Sequence, residues 1–199
     1  MSNSRWWAVA AGVVLLIAPV ALAQPERVVV GGGQFKPMFF LDEQGQPAGR
    51  DVDLWRLWAE KTGASVEFRV MEWADVIPAL MQGDIDVVDG ASFTPERAEY
   101  LAFTEPYQEL HAYAFFHEGS APVNTRSDLR GRNVGVLAGS HVEEYLHHHT
   151  PESHLIPHAN YTRLVADALE DRFDVFVGEE PVISYHFSLA GGPGGFRRS

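Results

Sequence analysis

From Arg27 onward the chain alternates short runs of β-branched residues with stretches whose apolar positions recur at helical spacing. Arg27-Val28-Val29-Val30 reads as a buried strand that ends in Gly31-Gly32-Gly33, where backbone can approach a neighbour closely. Gly45-Gln46-Pro47 marks a turn, after which Val52, Trp55, Trp58 and Ala59 fall on one helical face until Gly63 stops the helix. Those tryptophans read as core rather than as a ligand platform. Val66, Phe68 and Val70 alternate as a strand with one buried face. The next helix carries Val76, Ile77, Leu80 and Met81 inward and ends at Gly83, and Ile85-Asp86-Val87-Val88 is again a strand. It feeds a loop and then a short helix, with Thr94 as N-cap and Pro95 at the first helical position.

After Tyr107 the pattern restarts. Tyr113-Ala114-Phe115-Phe116 is a hydrophobic strand, Ser127 caps a short turn, and Asn133-Val134-Gly135-Val136-Leu137 is another strand. A helix follows from Ser140, with a capping box between Ser140 and Glu143. Tyr161, Leu164, Val165, Ala168 and Leu169 mark an amphipathic helix, and Phe173 to Val177 a strand that runs out into Gly178-Glu179-Glu180-Pro181. Glycines and polar residues then dominate 188–199, which reads as a flexible tail. Strands alternating with helices indicate an α/β fold.

Composition narrows the function classes. At 199 residues and 46% hydrophobic, the chain can bury a core in one or two small domains. A formal charge of −12 with no basic stripe argues against nucleic acid, whose phosphates are neutralised by Lys and Arg. The absence of cysteine removes disulfide scaffolds and thiolate-held zinc. At the N-terminus Arg5, the apolar run Trp6 to Val20 and the small residues Ala21-Leu22-Ala23 have the layout of a secretory signal peptide over 1–23. The alternative is an uncleaved anchor, for which the run is short. An exported or membrane-anchored protein facing the periplasm is expected.

Candidate chemistry sits where strands end. Arg97 lies in the first turn of the short helix, so a guanidinium joins unpaired N–H groups and a partial positive charge, which suits a carboxylate. A surface pairing with Glu96 or Glu99 is the plainer alternative. The start of the helix at Ser140-His141 is a second place for an anion, or an ordinary cap. The glycines after Val30 lack the spacing and following helix of a phosphate-binding loop. His147-His148-His149 follows His141, and His141, Glu144 and His148 could share a helical face, but solvated histidines are the simpler reading and no metal is expected. No nucleophile–base pair or carboxylate dyad stands out, so neither an enzyme nor a cofactor is expected.

Several motifs occur in a particular order: Gly49-Arg50-Asp51-Val52-Asp53-Leu54, Trp73 to Leu80, Gly83-Asp84-Ile85-Asp86-Val87, Thr94-Pro95-Glu96-Arg97, Phe103-Thr104-Glu105-Pro106-Tyr107, Leu129 to Val136 and Gly178-Glu179-Glu180-Pro181-Val182. This series resembles the periplasmic solute-binding proteins of family 3, which capture polar amino acids for ABC importers. It covers Arg27 to Phe187. The resemblance implies a two-lobed periplasmic binding protein type II fold with parallel-rich sheets. Lobe 1 would span 24–107, a hinge crossover 108–112 and lobe 2 113–187, with the tail 188–199 truncated before any return and the first lobe incomplete.

For the site, the resemblance implies an aromatic cover at Phe35 and an aromatic wall at Trp73, where core packing is an equal reading. It implies that Asp89, Gly90 and Ser92 hold the ligand's amino and carboxylate ends, with Asp89 either meeting an ammonium or capping a turn. Glu179 would pair with the α-ammonium, and Arg97 with the carboxylate. The expected partners are a small solute, an amino acid or organic acid, and a membrane permease. The alternative is a sensor domain of a truncated signalling protein such as a histidine kinase or diguanylate cyclase, an alternative to which Asp53 to Gly63 and Phe115-Phe116-His117 point.

Overall fold

In the computed structural model, which describes residues 27–173 and 175–199, two α/β lobes follow one another along the chain. The expected signal segment 1–23 lies outside the described residues. The first lobe contains β1 (Arg27–Gly33), the hairpin strands β2 (Phe40–Leu41) and β3 (Pro47–Ala48), α1 (Arg50–Thr62), β4 (Ser65–Met71), α2 (Trp73–Gln82), β5 (Val87–Val88) and α3 (Pro95–Ala98). Its parallel sheet has the order β4-β1-β5. The valine run of β1 is continuous because both faces are covered. Val28 and Val30 pack with Phe39 and Val52 on the α1 side, while Val29 packs with Val76 and Ile85 on the α2 side. Gly49 leads into α1 with φ 118°, and a Cβ there would lie 2.1 Å from the carbonyl oxygen of Met38. Only glycine fits that approach.

The second lobe contains β6 (Ala112–His117), a 3-10 turn at Arg126–Leu129, β7 (Asn133–Leu137), α4 (His141–His149), β8 (His154–His158), α5 (Tyr161–Leu169), β9 (Val175–Glu179), α6 (Glu180–Leu189) and β10 (Phe196–Arg198). Its sheet has the order β10-β6-β9-β7-β8. β7 runs parallel to β8 and β9, whereas β6 is antiparallel to β9 and β10 is antiparallel to β6. Alternate residues serve two cores. Val134, Val136 and Val175 meet Leu146 of α4, and Phe115 and Phe176 meet Leu164 of α5 and Ile183 of α6.

Four local readings change. Residues 188–199 are not a tail: α6 ends at Leu189, a glycine turn follows, and β10 pairs Phe196 with His117 and Arg198 with Phe115. The turn composition concealed a strand of three residues, whose register comes from β6 and from one buried ring. Met81 faces solvent at 63% exposure, because the inward arc of the short α2 is already filled by Val76, Ala79 and Leu80. Thr125 rather than Ser127 caps the 3-10 turn, sharing reciprocal bonds with Asp128. β8 carried no periodic signal, since Pro157 interrupts it; at a sheet edge the missing N–H costs no ladder bond.

Candidate functional site

The carboxyl ends of the parallel strands meet between the lobes. A cavity of about 50 Å³ collects residues that follow β1, β4 and β5 of one lobe and β7, β8 and β9 of the other. This is the edge at which open α/β sheets bind ligands. Phe35, Trp73, Asp89, Gly90 and Ser92 line it from the first lobe, and Ser140, His141 and Glu179 from the second. Arg97 is not one of its walls. It lies beside them, 1% exposed, with its guanidinium 6.0 Å from the centre of the Trp73 ring.

Local chemistry positions each group. Thr94 accepts a hydrogen bond from the Arg97 N–H at 3.1 Å, which starts α3, and the Arg97 side chain pairs with Glu144. Ser140 accepts from the Glu143 N–H at 3.1 Å, but the Glu143 carboxylate returns to the N–H of Gly139 at 2.7 Å, one residue earlier than a capping box requires. Gly139 has φ 70°, and a Cβ there would stand 3.2 Å from Ala74 Cα, so the loop before α4 rests directly on α2.

Three sets of hydrogen bonds cross between the lobes here. The Gly139 carbonyl accepts from the Trp73 indole at 3.0 Å and from Arg97 Nη2 at 3.2 Å. Arg97 Nη2 also donates to Glu144 Oε1 at 3.0 Å, and Asn160 Nδ2 donates to the Glu72 carboxylate at 3.2 Å. Arg97 Nε and Nη1 are buried and meet no acceptor.

Glu179 is the last residue of β9, inside the strand rather than beyond it, and 6% exposed. The buried Tyr161 hydroxyl donates to it, and His141 Nδ1 stands 3.9 Å away. Burial holds the His141 imidazole below its usual pKa against the pull of Glu179, with the Arg97 charge adding to the depression. Burial and the adjacent Glu179 carboxylate raise the Tyr161 phenol well above its usual value, so it stays a donor. The Tyr161 ring packs 5.8 Å from Phe35. Glu179 is therefore a held anion with a fixed second partner.

Asp89 neither caps a turn nor stands free: it accepts from the Trp55 indole at 2.8 Å. Burial first, opposed by that bond and reinforced by Asp51, pushes its carboxyl up to about 6. A raised acid pKa means that the folded protein binds more protons than the unfolded chain between about pH 4 and 6, so stability falls as pH rises through that window. Asp89→Asn is expected to add about 1–3 kcal/mol at pH 7.5 and nothing near pH 4, checked by urea unfolding at both. Equal effects at the two pH values would contradict a buried, costly charge.

Sequence reasoning marks Tyr161 only as a position on an amphipathic helix and Leu110 only as part of the hinge crossover, and it gives no signal for Gln34, Ala159 or Asn160, which also line the cavity. What could have found Asn160 and Ala159 is their place just beyond β8, the strand that the pattern did not reveal. The Glu144 carboxylate is engaged by Arg97. Among the described residues, no three His, Cys, Asp or Glu side chains gather as a metal site.

Residues 28–179 match the model of the bacterial extracellular solute-binding proteins, family 3. The chain belongs to this family. A probable histidine-binding protein of Neisseria gonorrhoeae is 33% identical over 126 residues, 61% of this chain and 47% of that relative. The family 3 chain thus spans about half the length of that relative. An ancestral arginine-binding protein solved with arginine superimposes with a TM-score of 0.79 at 29% identity, covering 87% of this chain and 78% of the other. A histidine kinase sensor domain with similarity to periplasmic binding proteins gives 0.82 at 28% identity, covering 87% and 76%.

Proposed function

We propose that this family 3 protein closes its two lobes on an amino acid outside the cytoplasm and passes it to an ABC importer. In this reading Arg97 takes the α-carboxylate and Glu179, steadied by Tyr161, takes the ammonium. Phe35 and Trp73 flank the remainder, with Asp89, Gly90, Ser92, Ser140 and His141 completing the walls. The observation that carries it is the convergence of strand ends from both lobes on one cavity, with a buried acid on the far side from the guanidinium's own lobe. An amino-acid zwitterion needs one group of each sign and an apolar surface for the rest.

The charge balance selects the ligand further. Two carboxylates, Asp89 and Glu179, face the cavity, while the nearby cation already has a carboxylate partner in Glu144. That excess of negative charge favours an amino acid with a cationic side chain, in keeping with the arginine and histidine named for its relatives. A thermal-shift screen is expected to show stabilisation by L-arginine, L-histidine or L-lysine and none by L-glutamate, with about 2.7 kcal/mol gained at a ligand concentration of 100 Kd. No shift with any amino acid at millimolar concentration would rule the reading out.

A second reading is supported by the likeness to the kinase sensor domain: the same cleft would report ligand to a membrane signalling module. Stimulation of an importer's ATPase by the loaded protein separates the two.

A further inference from the structure

We infer that Glu144 is a built-in competitor for the ligand's carboxylate, clasping Arg97 across the lobes until an incoming carboxylate takes its place. The inference rests on the binding reading above. A guanidinium offers two forks to a carboxylate, Nε with Nη2 and Nη1 with Nη2, and both include Nη2. In Arg97, Nη2 already serves two acceptors, the Gly139 carbonyl and Glu144, as many as it has hydrogens, while Nε and Nη1 have no acceptor. A ligand carboxylate can therefore form a fork only by displacing one of the two.

The two acceptors are not equally displaceable. The Gly139 carbonyl belongs to a left-handed turn seated against Ala74, and it also accepts from Trp73. The Glu144 side chain is 47% exposed, so water can take over its oxygens. Glu144 is the group that yields. Its departure exchanges a pairing that leaves two buried donors unmet for one that meets at least one of them.

The size of the cavity requires such a release. Small-molecule sites run to roughly 300–1,000 Å³, whereas the hollow between the lobes is about 50 Å³. The lobes must part to admit an amino acid, and the Arg97–Glu144 bridge is a contact that parting breaks. Glu144 thereby lowers the affinity for ligands whose carboxylate must displace it, and leaves unchanged that of ligands without a carboxylate, around which the bridge can re-form.

Glu144→Gln and Glu144→Ala test this by calorimetry with L-arginine and with its decarboxylated analogue agmatine, alongside the distance between spin labels on the two lobes in the ligand-free protein. The expected result is L-arginine affinity raised about tenfold in both variants, agmatine affinity unchanged, and a longer or broader interlobe distance. Unchanged or weaker L-arginine binding in both variants overturns the inference. Should no amino acid bind either wild type or variants, the binding reading fails by itself. The label distances then still decide the clasp, and identical distributions in all three proteins overturn it.

Discussion

Arg97→Met is expected to weaken binding of a carboxylate-bearing ligand by about 10²–10⁴-fold while leaving the fold in place. Two charge-assisted hydrogen bonds at about 1.5–3 kcal/mol each are lost, and each 1.4 kcal/mol is about tenfold. Methionine keeps much of the volume beside Trp73, so little cavity opens. Of the partners left behind, Glu144 is half-exposed and returns to water and the Gly139 carbonyl keeps the Trp73 indole, so unfolding stability should change by no more than about 1 kcal/mol. Arg97→Lys keeps the charge but loses the fork and should also bind poorly. Calorimetry paired with urea unfolding separates the two effects, and wild-type affinity in Arg97→Met would refute the assignment of the carboxylate.

Phe196→Ala is the substitution expected to cost most in stability, about 3–5 kcal/mol against a total of about 5–15 for a domain. Phe196 is 7% exposed, its ring lies 5.4 Å from Phe176 and 6.0 Å from Phe187, and it opens the strand that covers the edge of β6. Arg197→Ala on the same strand removes an exposed pair with Glu118 and should cost under about 1 kcal/mol. Denaturant midpoints for the two variants read the difference. A loss of less than about 1 kcal/mol in Phe196→Ala would return residues 188–199 to a dispensable tail.

The departures from local pattern have a common origin. Residues 188–199 look like a tail in sequence because glycine marks turns wherever it occurs, and nothing local announces that Phe196 will reach a core formed by Phe115, Phe176 and Phe187. Ser127 and Thr125 both carry a hydroxyl that can cap, and the choice fell to the residue whose side chain meets Asp128 reciprocally. β8 was invisible because an edge strand tolerates proline and needs no alternation. Pairings over short distances were within reach, as Thr94 with Arg97 and Ser140 with Glu143 demonstrate.

By itself the amino-acid sequence determined the alternation of strands and helices, the lobe order and most of the residues that line the cavity. Those depend on periodicity, on caps within three or four residues, and on the rule that sites gather at strand ends. Only the tertiary structure decided that Arg97 is matched with Glu144, 47 residues away, that Tyr161 steadies Glu179, and that Trp55 holds Asp89. Such pairings are set by how two lobes approach one another and by which buried charge finds a partner when water leaves, and neither is encoded in any local pattern.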